Sequence, residues 1–330
     1  MKLNKRAAYV LLHILNGNVT ANQIGKKMQA IDLRSVQRAL VRLTELGLII
    51  RKGTNNPTYS VNYEALINVA ISDKLLEDEQ RPTAAFHHEF ISWLNSPARQ
   101  DLNQLFGNYI DNTLRDTTRT IMSAKELEYL TVELSWKSSS LEGNTYTLLD
   151  TQLLLLEGIK AKNKTEFETQ MILNHNNAIA FIVKHKDLFT ERIEFRTVEE
   201  LHRIIGYNLG IDTGIRKKLI RITASNYEPL ANPHQLRENA DNILTVISRV
   251  SNPFAKALLA LALIPYLQIF EDGNKRTGRM LANAVLIHSI GKGFSLRKTD
   301  ARTLALAYLS FYEFNSALAL SKTLKNELAE

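Results

Sequence analysis

Apolar residues recur at helical spacing through most of the chain, in blocks separated by short polar turns. Ala7–Leu15 reads as a helix, Asn16-Gly17-Asn18 as a turn, and Thr20 as the cap of a helix running to Met28. Asp32 can cap a third helix from Leu33 to Leu46, with Val36, Leu40, Leu43 and Leu46 on one face and Gly47 as its stop. Leu48–Ile50 and Thr58–Val61 flank a basic turn and read as two strands. From Tyr63 to Lys125 the pattern is helical and connective, broken at Pro82 and Pro97, with Phe86–Leu94 one amphipathic helix; the adjacent His87 and His88 cannot share a helix face, which argues against a metal pair. Further helices are expected at Lys125–Ser139, Thr147–Leu155, Thr165–His185 and Val198–Asn208, and a short hairpin over the largely apolar or β-branched residues 219–223, which turn formers flank. Two apolar runs, Phe254–Leu267 and Met280–Ile287, bracket the polar dozen from Gln268 to Arg279. Ala301–Lys322 reads as a last amphipathic helix.

Composition agrees with a mainly α class: helix formers dominate, with 14 Gly and 7 Pro in 330 residues. That length favours two domains. The absence of cysteine excludes disulfides and thiolate metal sites and fits a reducing, cytoplasmic setting. No apolar run approaches membrane-spanning length. Lys2, Lys5 and Arg6 before an apolar run imitate a signal peptide, but His13 interrupts the run and the segment serves as a first helix. Charge is segregated. Residues 1–62 hold ten Lys/Arg against two Asp/Glu, and the remainder is near neutral with 31 against 32. A polyanion-binding module joined to a neutral one explains this asymmetry.

The polar dozen concentrates the chemistry. Gly273 and Asn274 tolerate the backbone angles of an anion-binding nest, and a helix starting near Lys275 aims its positive end at the same place. Arg276 and Arg279 lie three apart, where both can reach a polyphosphate. Asp272 is a hard oxygen ligand suited to Mg²⁺ beside those phosphates. A plain helix corner with solvated arginines is the alternative that the residues alone leave open. The string Phe270-x-Asp272-Gly-Asn-Lys-Arg276-x-x-Arg279 resembles the active-site motif of Fic-domain proteins, which transfer AMP from ATP to protein hydroxyl groups. That resemblance implies ATP contacts at Gly273, Asn274, Lys275, Arg276, Gly278 and Arg279, and Mg²⁺ at Asp272. The family motif opens with a His two residues before the Phe; here Gln268 stands in its place.

A second string, Ser138-x-x-x-Glu142-Gly143, resembles the inhibitory motif that accompanies many Fic domains, about 130 residues upstream. By that resemblance Glu142 pairs with Arg279 and keeps the ATP γ-phosphate from its productive position. The segment Gly214–Pro229 corresponds to the family's flap, which holds a target protein by strand addition, with Ile220, Ile222 and Tyr227 as its candidate contacts. His175 and His202 read as packed or capping histidines, since neither has a metal partner at i+4.

The first sixty residues resemble a winged helix-turn-helix DNA-binding domain. On double-stranded DNA its third helix would enter the major groove with Arg34, Gln37, Arg38 and Arg42 as base or phosphate contacts, while Lys26, Lys27, Arg51 and Lys52 would meet backbone phosphates. The same fold also serves for protein docking. The expected organisation is therefore a winged helix-turn-helix domain over 1–65, a helical connecting region over 66–120, and a Fic-type helical bundle with a short β-hairpin flap over 121–330. The inhibitory helix occupies about 125–143, and a homodimer is compatible with this layout.

Gln268 decides between two functions. Imidazole, with an unperturbed pKa of about 6.5, can accept a proton from an attacking hydroxyl. An amide cannot, and losing a general base costs about 10²–10⁴ in rate. Glu271 is a candidate substitute base whose side chain is expected to point away. The chain is thus either an AMP transferase held down by Glu142, or a DNA-bound regulator whose degenerate Fic domain only senses nucleotide.

Overall fold

A computed structural model describes residues 3–28, 32–96, 102–107, 121–190 and 192–329. It divides into two compact units. The first takes Met1–Ser96, Ile220–Leu230 and Ala305–Leu320; the second takes Pro97–Leu219, Ala231–Leu304 and Ser321–Glu330.

In the first unit, α1 (Lys5–Leu15) is capped by Asn4, α2 (Ala21–Lys27) by a Thr20–Gln23 capping box, and α3 (Leu33–Glu45) by Asp32. Leu11, Leu12, Ile24, Val36 and Leu43 are fully buried where the three helices meet. Strands β1 (Ile49–Lys52) and β2 (Thr58–Val61) pair antiparallel, with Ile49 opposite Val61 and Lys52 opposite Thr58. Short helices α4 (Tyr63–Leu66) and α5 (Asp73–Leu76) follow, then β3 (Ala84–Ala85) and α6 (His88–Asn95), the segment expected to be helical from Phe86.

Residues 219–223 form no strand, contrary to the hairpin expected there. Ser225 N–H closes a turn on the Ile222 carbonyl, and it is β4 (Tyr227–Glu228) that pairs, parallel, with β3. A buried ion pair holds this region together: Arg81 Nε donates to Glu313 at 2.7 Å, with 3% and 0% of the two side chains exposed. Glu313 also accepts from Ser225 Oγ and the Asn226 N–H.

The second unit contains α7 (Leu102–Gly107), α8 (Ala124–Ser140), α9 (Leu148–Glu157), α10 (Glu166–Lys184), α11 (Asp187–Thr190) and α12 (Phe195–Gly206). Helices α13 (Pro233–Arg249), α14 (Pro253–Leu267) and α15 (Asn274–Ile290) follow. Capping boxes at Ser123, Thr147 and Thr165 start α8, α9 and α10. Helix α14 is apolar on all sides and buried except at Pro253 and Lys256, which makes it the centre of the unit. Its neighbour α15 approaches closely because Gly278 has no side chain. A Cβ there would meet Pro265 Cδ at 3.0 Å and the Ala260 carbonyl at 3.2 Å.

The last helix expected from the apolar pattern is two helices, α16 (Ala301–Phe314) and α17 (Leu318–Leu328). Asn315 takes a left-handed φ of 52° between them, and its side chain meets His87 Nδ1 at 2.6 Å. The Ala317 N–H is spent on the Ile67 carbonyl rather than on a helix turn. Among the described residues no helix is long and apolar enough to cross a membrane.

Candidate active site

Helix α14 ends at Leu267, and Gln268 leaves it in the left-handed region at φ 52°, ψ 55°. The loop that follows is closed by the side chain of Asn274. Its Oδ1 accepts the Phe270 N–H at 2.9 Å, and its Nδ2 donates to the Phe270 carbonyl at 2.8 Å and to Gln268 Oε1 at 3.1 Å. The other end of the Gln268 amide donates to the Pro265 carbonyl at 2.6 Å, and only 7% of the residue is exposed. Both polar ends of Gln268 are therefore occupied inside the loop, and the residue acts as a strut.

Two residues brace this loop from outside. Arg216, 3% exposed, donates from Nε to the Gln268 carbonyl at 2.6 Å, and its N–H donates to the Ile269 carbonyl. His202 lies flat on Phe270, with ring centroids 3.7 Å apart, and its Nε2 meets the Asp272 carbonyl at 2.9 Å. Burial pushes the imidazole down to about 4, so the ring is neutral and Nε2–H is the donor. Gly273 caps α15 at φ 76°, a left-handed angle that suits glycine, and Thr277 Oγ donates back to its carbonyl.

Arg276 and Arg279 stand on one face of the first turns of α15, 2% and 1% exposed. Arg276 Nη2 donates to Asp272 Oδ2 at 2.8 Å, while Arg279 Nη2 donates to Glu142 Oε1 at 2.7 Å and to the Ser138 carbonyl at 3.3 Å. Arg276 Nε and Nη1 and Arg279 Nε are buried with no partner among the described residues. Buried charged donors of this kind are costly unless an anion meets them. Lys275 is half-buried beside them. Burial raises the Glu142 carboxyl, but Arg279, Lys275 and Arg276 more than reverse this and hold it at about 2. Glu142 is thus an anion standing in the pocket. Gly278, expected among the ATP contacts, lies where α14 and α15 pack closely.

The end of α8 that carries Glu142 is tied down. His175 Nε2 accepts from Ser138 Oγ at 2.8 Å, and Nδ1 meets the Met171 carbonyl at 2.8 Å and Ser139 Oγ at 3.3 Å. Burial pushes this ring down to about 3, so it stays neutral. Farther along α8, Glu133 bonds Ser295 and Arg297, and Leu130 packs against Gly293. Glu142 is followed by Gly143 at φ 91°, which lets the chain turn off the helix.

A cation would find one exposed carboxylate here, since Glu142 and Glu271 are half-buried and ion-paired. Asp272 has 65% of its side chain exposed, and no cluster of three His, Asp or Glu residues occurs among the described residues. That suits Mg²⁺ brought by a polyphosphate, which needs one or two protein carboxylates. Glu271 is occupied by Lys218 at 2.7 Å. The candidate flap residues lie in the first unit: Ile220 and Ile222 are half-buried, and Tyr227 is buried with its ring 5.6 Å from that of Tyr312. The candidate DNA contacts Lys26, Lys27, Arg34, Gln37, Arg38, Arg42, Arg51 and Lys52 are all exposed. Arg216 and the bracing role of His202 had no local signal in the sequence; only the fold brings them to the loop.

The site thus consists of a loop with a left-handed glycine, a helix start and two buried arginines, set in an α-helical core. Residues 192–286 match the model of the Fic/DOC family and are a Fic/DOC domain. Protein adenylyltransferase Fic of Nematostella vectensis is 28% identical over 159 residues, covering 47% of this chain and 37% of that protein. Protein adenylyltransferase fic-1 of Caenorhabditis elegans is 24% identical over 212 residues, covering 62% of this chain and 40% of its own. The matched part is thus well under half of either relative. The solved structure of C. elegans Fic-1 (residues 134–508) superposes with a TM-score of 0.50 at 18% identity, over 96% of this chain and 88% of that one.

Proposed function

We propose that the second unit binds ATP with Mg²⁺ on the Fic pattern, is held off by Glu142, and transfers AMP to protein hydroxyl groups slowly for want of a base at Gln268. The observation that carries this reading is the pair of buried guanidiniums that keep unpaired N–H donors although each meets one carboxylate, Arg279 with Glu142 and Arg276 with Asp272. A triphosphate would supply the anions those donors lack, with the Gly273 loop and the start of α15 beside it. Asp272 is the residue to hold Mg²⁺, which would offset phosphate charge there. The inhibitory reading is supported by the competition it sets up: Arg279 cannot serve Glu142 and a γ-phosphate at once. The Gln268 amide is not basic enough to accept the proton, and each of its polar atoms already holds one bond within the loop.

Calorimetry of the full chain tests this. Glu142→Gly should bind ATP·Mg²⁺ more tightly than the parent, Arg279→Ala in that background should weaken it, and Asp272→Ala should remove the Mg²⁺ dependence. A Glu142→Gly protein that binds no nucleotide would overturn the reading.

A second reading concerns the first unit. The three capped helices and β1–β2 ribbon, with their concentrated positive charge, support a winged helix that binds duplex DNA. The protein would then be a DNA-bound regulator that senses nucleotide.

A further inference from the structure

The cations of the first unit do not all sit on the outer face of α3. Lys5, Arg6 and Ala7 at the start of α1 face Arg38, Ala39 and Arg42 across a cleft of about 380 Å³. Ala7 and Ala39 are buried and form its floor, which stays open because neither side chain fills it. The walls are cationic. Lys5 is paired with Asp78, and Arg42 reaches Glu45 only at 3.5 Å, with both of those side chains largely exposed. No ion pair engages Arg6 or Arg38 among the described residues. Like charges gathered in a concavity focus positive potential on whatever occupies it. Asn4 also lines the cleft, but its Oδ1 is spent on the Ala7 N–H as the cap of α1, so what the walls offer is exposed positive charge beside an apolar floor. The occupant they fit is a phosphodiester.

The crest of α3 is different. Arg34, Gln37 and Val41 follow each other at three- and four-residue steps on the outermost stripe, and Val41 is 58% exposed. These are side chains suited to base edges: Arg to guanine, Gln to adenine, and an apolar group to the thymine methyl.

We propose that the α1–α3 cleft is a seat for one strand's phosphate backbone, gripped by Arg6 and Arg38, and that sequence is read by Arg34, Gln37 and Val41 alone. This rests on the duplex-DNA reading of the first unit; it makes backbone contacts of Arg38 and Arg42, which the sequence leaves as base or phosphate contacts, and adds Arg6.

The test uses the full chain, a mixed-sequence DNA duplex and a salt titration followed by fluorescence anisotropy. Arg6→Ala and Arg38→Ala should each reduce the slope of log affinity against log salt by about 0.9, and the two together by about 1.8, the counterion release of one and two phosphates. Gln37→Ala should leave the slope unchanged. In selection from a random duplex pool, Arg38→Ala should enrich the parent's sequence and Gln37→Ala a different one. If the alanine pair lowers the melting midpoint, Arg6→Gln with Arg38→Gln takes its place. A parent that binds while the double variant keeps its slope overturns the seat alone, as does a changed selected sequence in Arg38→Ala. A parent that binds no DNA duplex at about 50 mM salt, or binds only an RNA duplex, overturns both the seat and the reading beneath it.

Discussion

On the AMP-transfer reading proposed above, changing Gln268 to His, alone and with Glu142→Gly, should separate two brakes that act on different parts of one reaction. The first cost is structural. Gln268→His removes the 2.6 Å bond to the Pro265 carbonyl and the 3.1 Å bond from Asn274. Leaving a buried donor and acceptor unpaired costs about 1–3 kcal/mol each. Part of this is offset because His enters the left-handed region more readily than Gln, and the backbone is already at φ 52°. The loop keeps its other supports from Arg216, His202 and Asn274, so the variant should fold. The gain is chemical. A general base contributes about 10²–10⁴ in rate, which is about 2.7–5.4 kcal/mol at 1.36 kcal/mol per tenfold. Glu142→Gly acts elsewhere: it frees Arg279 for a phosphate and should raise ATP affinity with little AMP transfer. Gln268→His alone should supply a base facing a poorly placed α-phosphorus. With α-labelled ATP and Mg²⁺, the double variant should label itself or a target at least about 10²-fold faster than either single variant. Its rate should follow a pKa near the imidazole value of about 6.5, a dependence the parent lacks. Full activity in Glu142→Gly alone would refute the reasoning, because the strut at Gln268 would then be no handicap. So would a double variant that binds ATP and transfers nothing.

Two further outcomes follow from buried charge and buried imidazole. Arg81→Met should destabilise the first unit by about 3–5 kcal/mol, because Glu313 is left charged with 0% of its side chain exposed, and Arg81→Met with Glu313→Leu should recover part of that loss. A urea midpoint for the single variant equal to the parent's would show that the pair carries no such weight. His175 is neutral in the fold at about 3 and ordinary when unfolded, so the unfolded chain binds a proton the native one refuses between about 6.5 and 3. Stability should therefore be fully present above about pH 6.5 and fall with acid by about 1.4 kcal/mol per unit from this residue, and His175→Gln should flatten that slope. An unchanged slope in denaturant melts across that range would contradict it.

Much of the helical layout is legible in the chain because its signals are local. Caps such as Asp32, Ser123 and Thr165 and the apolar stripe of α3 act over three or four residues, where intervening packing cannot change them. The motif around Gly273 is legible for the same reason: the left-handed glycine, the helix start and the arginine spacing are properties of one continuous dozen residues. The Glu142–Arg279 contact spans 137 positions and was foreseeable only through resemblance of two strings to a family pattern.

What the tertiary structure decided lies at longer range or depends on the backbone path. Arg216 reaches Gln268 across 52 positions, and Arg81 reaches Glu313 across 232, with nothing in either stretch to announce a partner. Residues 219–223, with β-branched Ile220, Ile222 and Thr223, look like a hairpin, yet the ladder bonds go to Tyr227–Glu228, because β3 offers a pairing edge from a distant part of the chain. The apolar pattern after Ala301 runs on, but Asn315 and the Ala317 N–H are taken by His87 and Ile67, and the helix breaks. Gln268 shows the difference most plainly. The resemblance implies only that the motif lacks its base; the fold adds that both ends of the amide are engaged by Pro265 and Asn274, since a left-handed residue at the end of α14 turns its side chain back into its own loop.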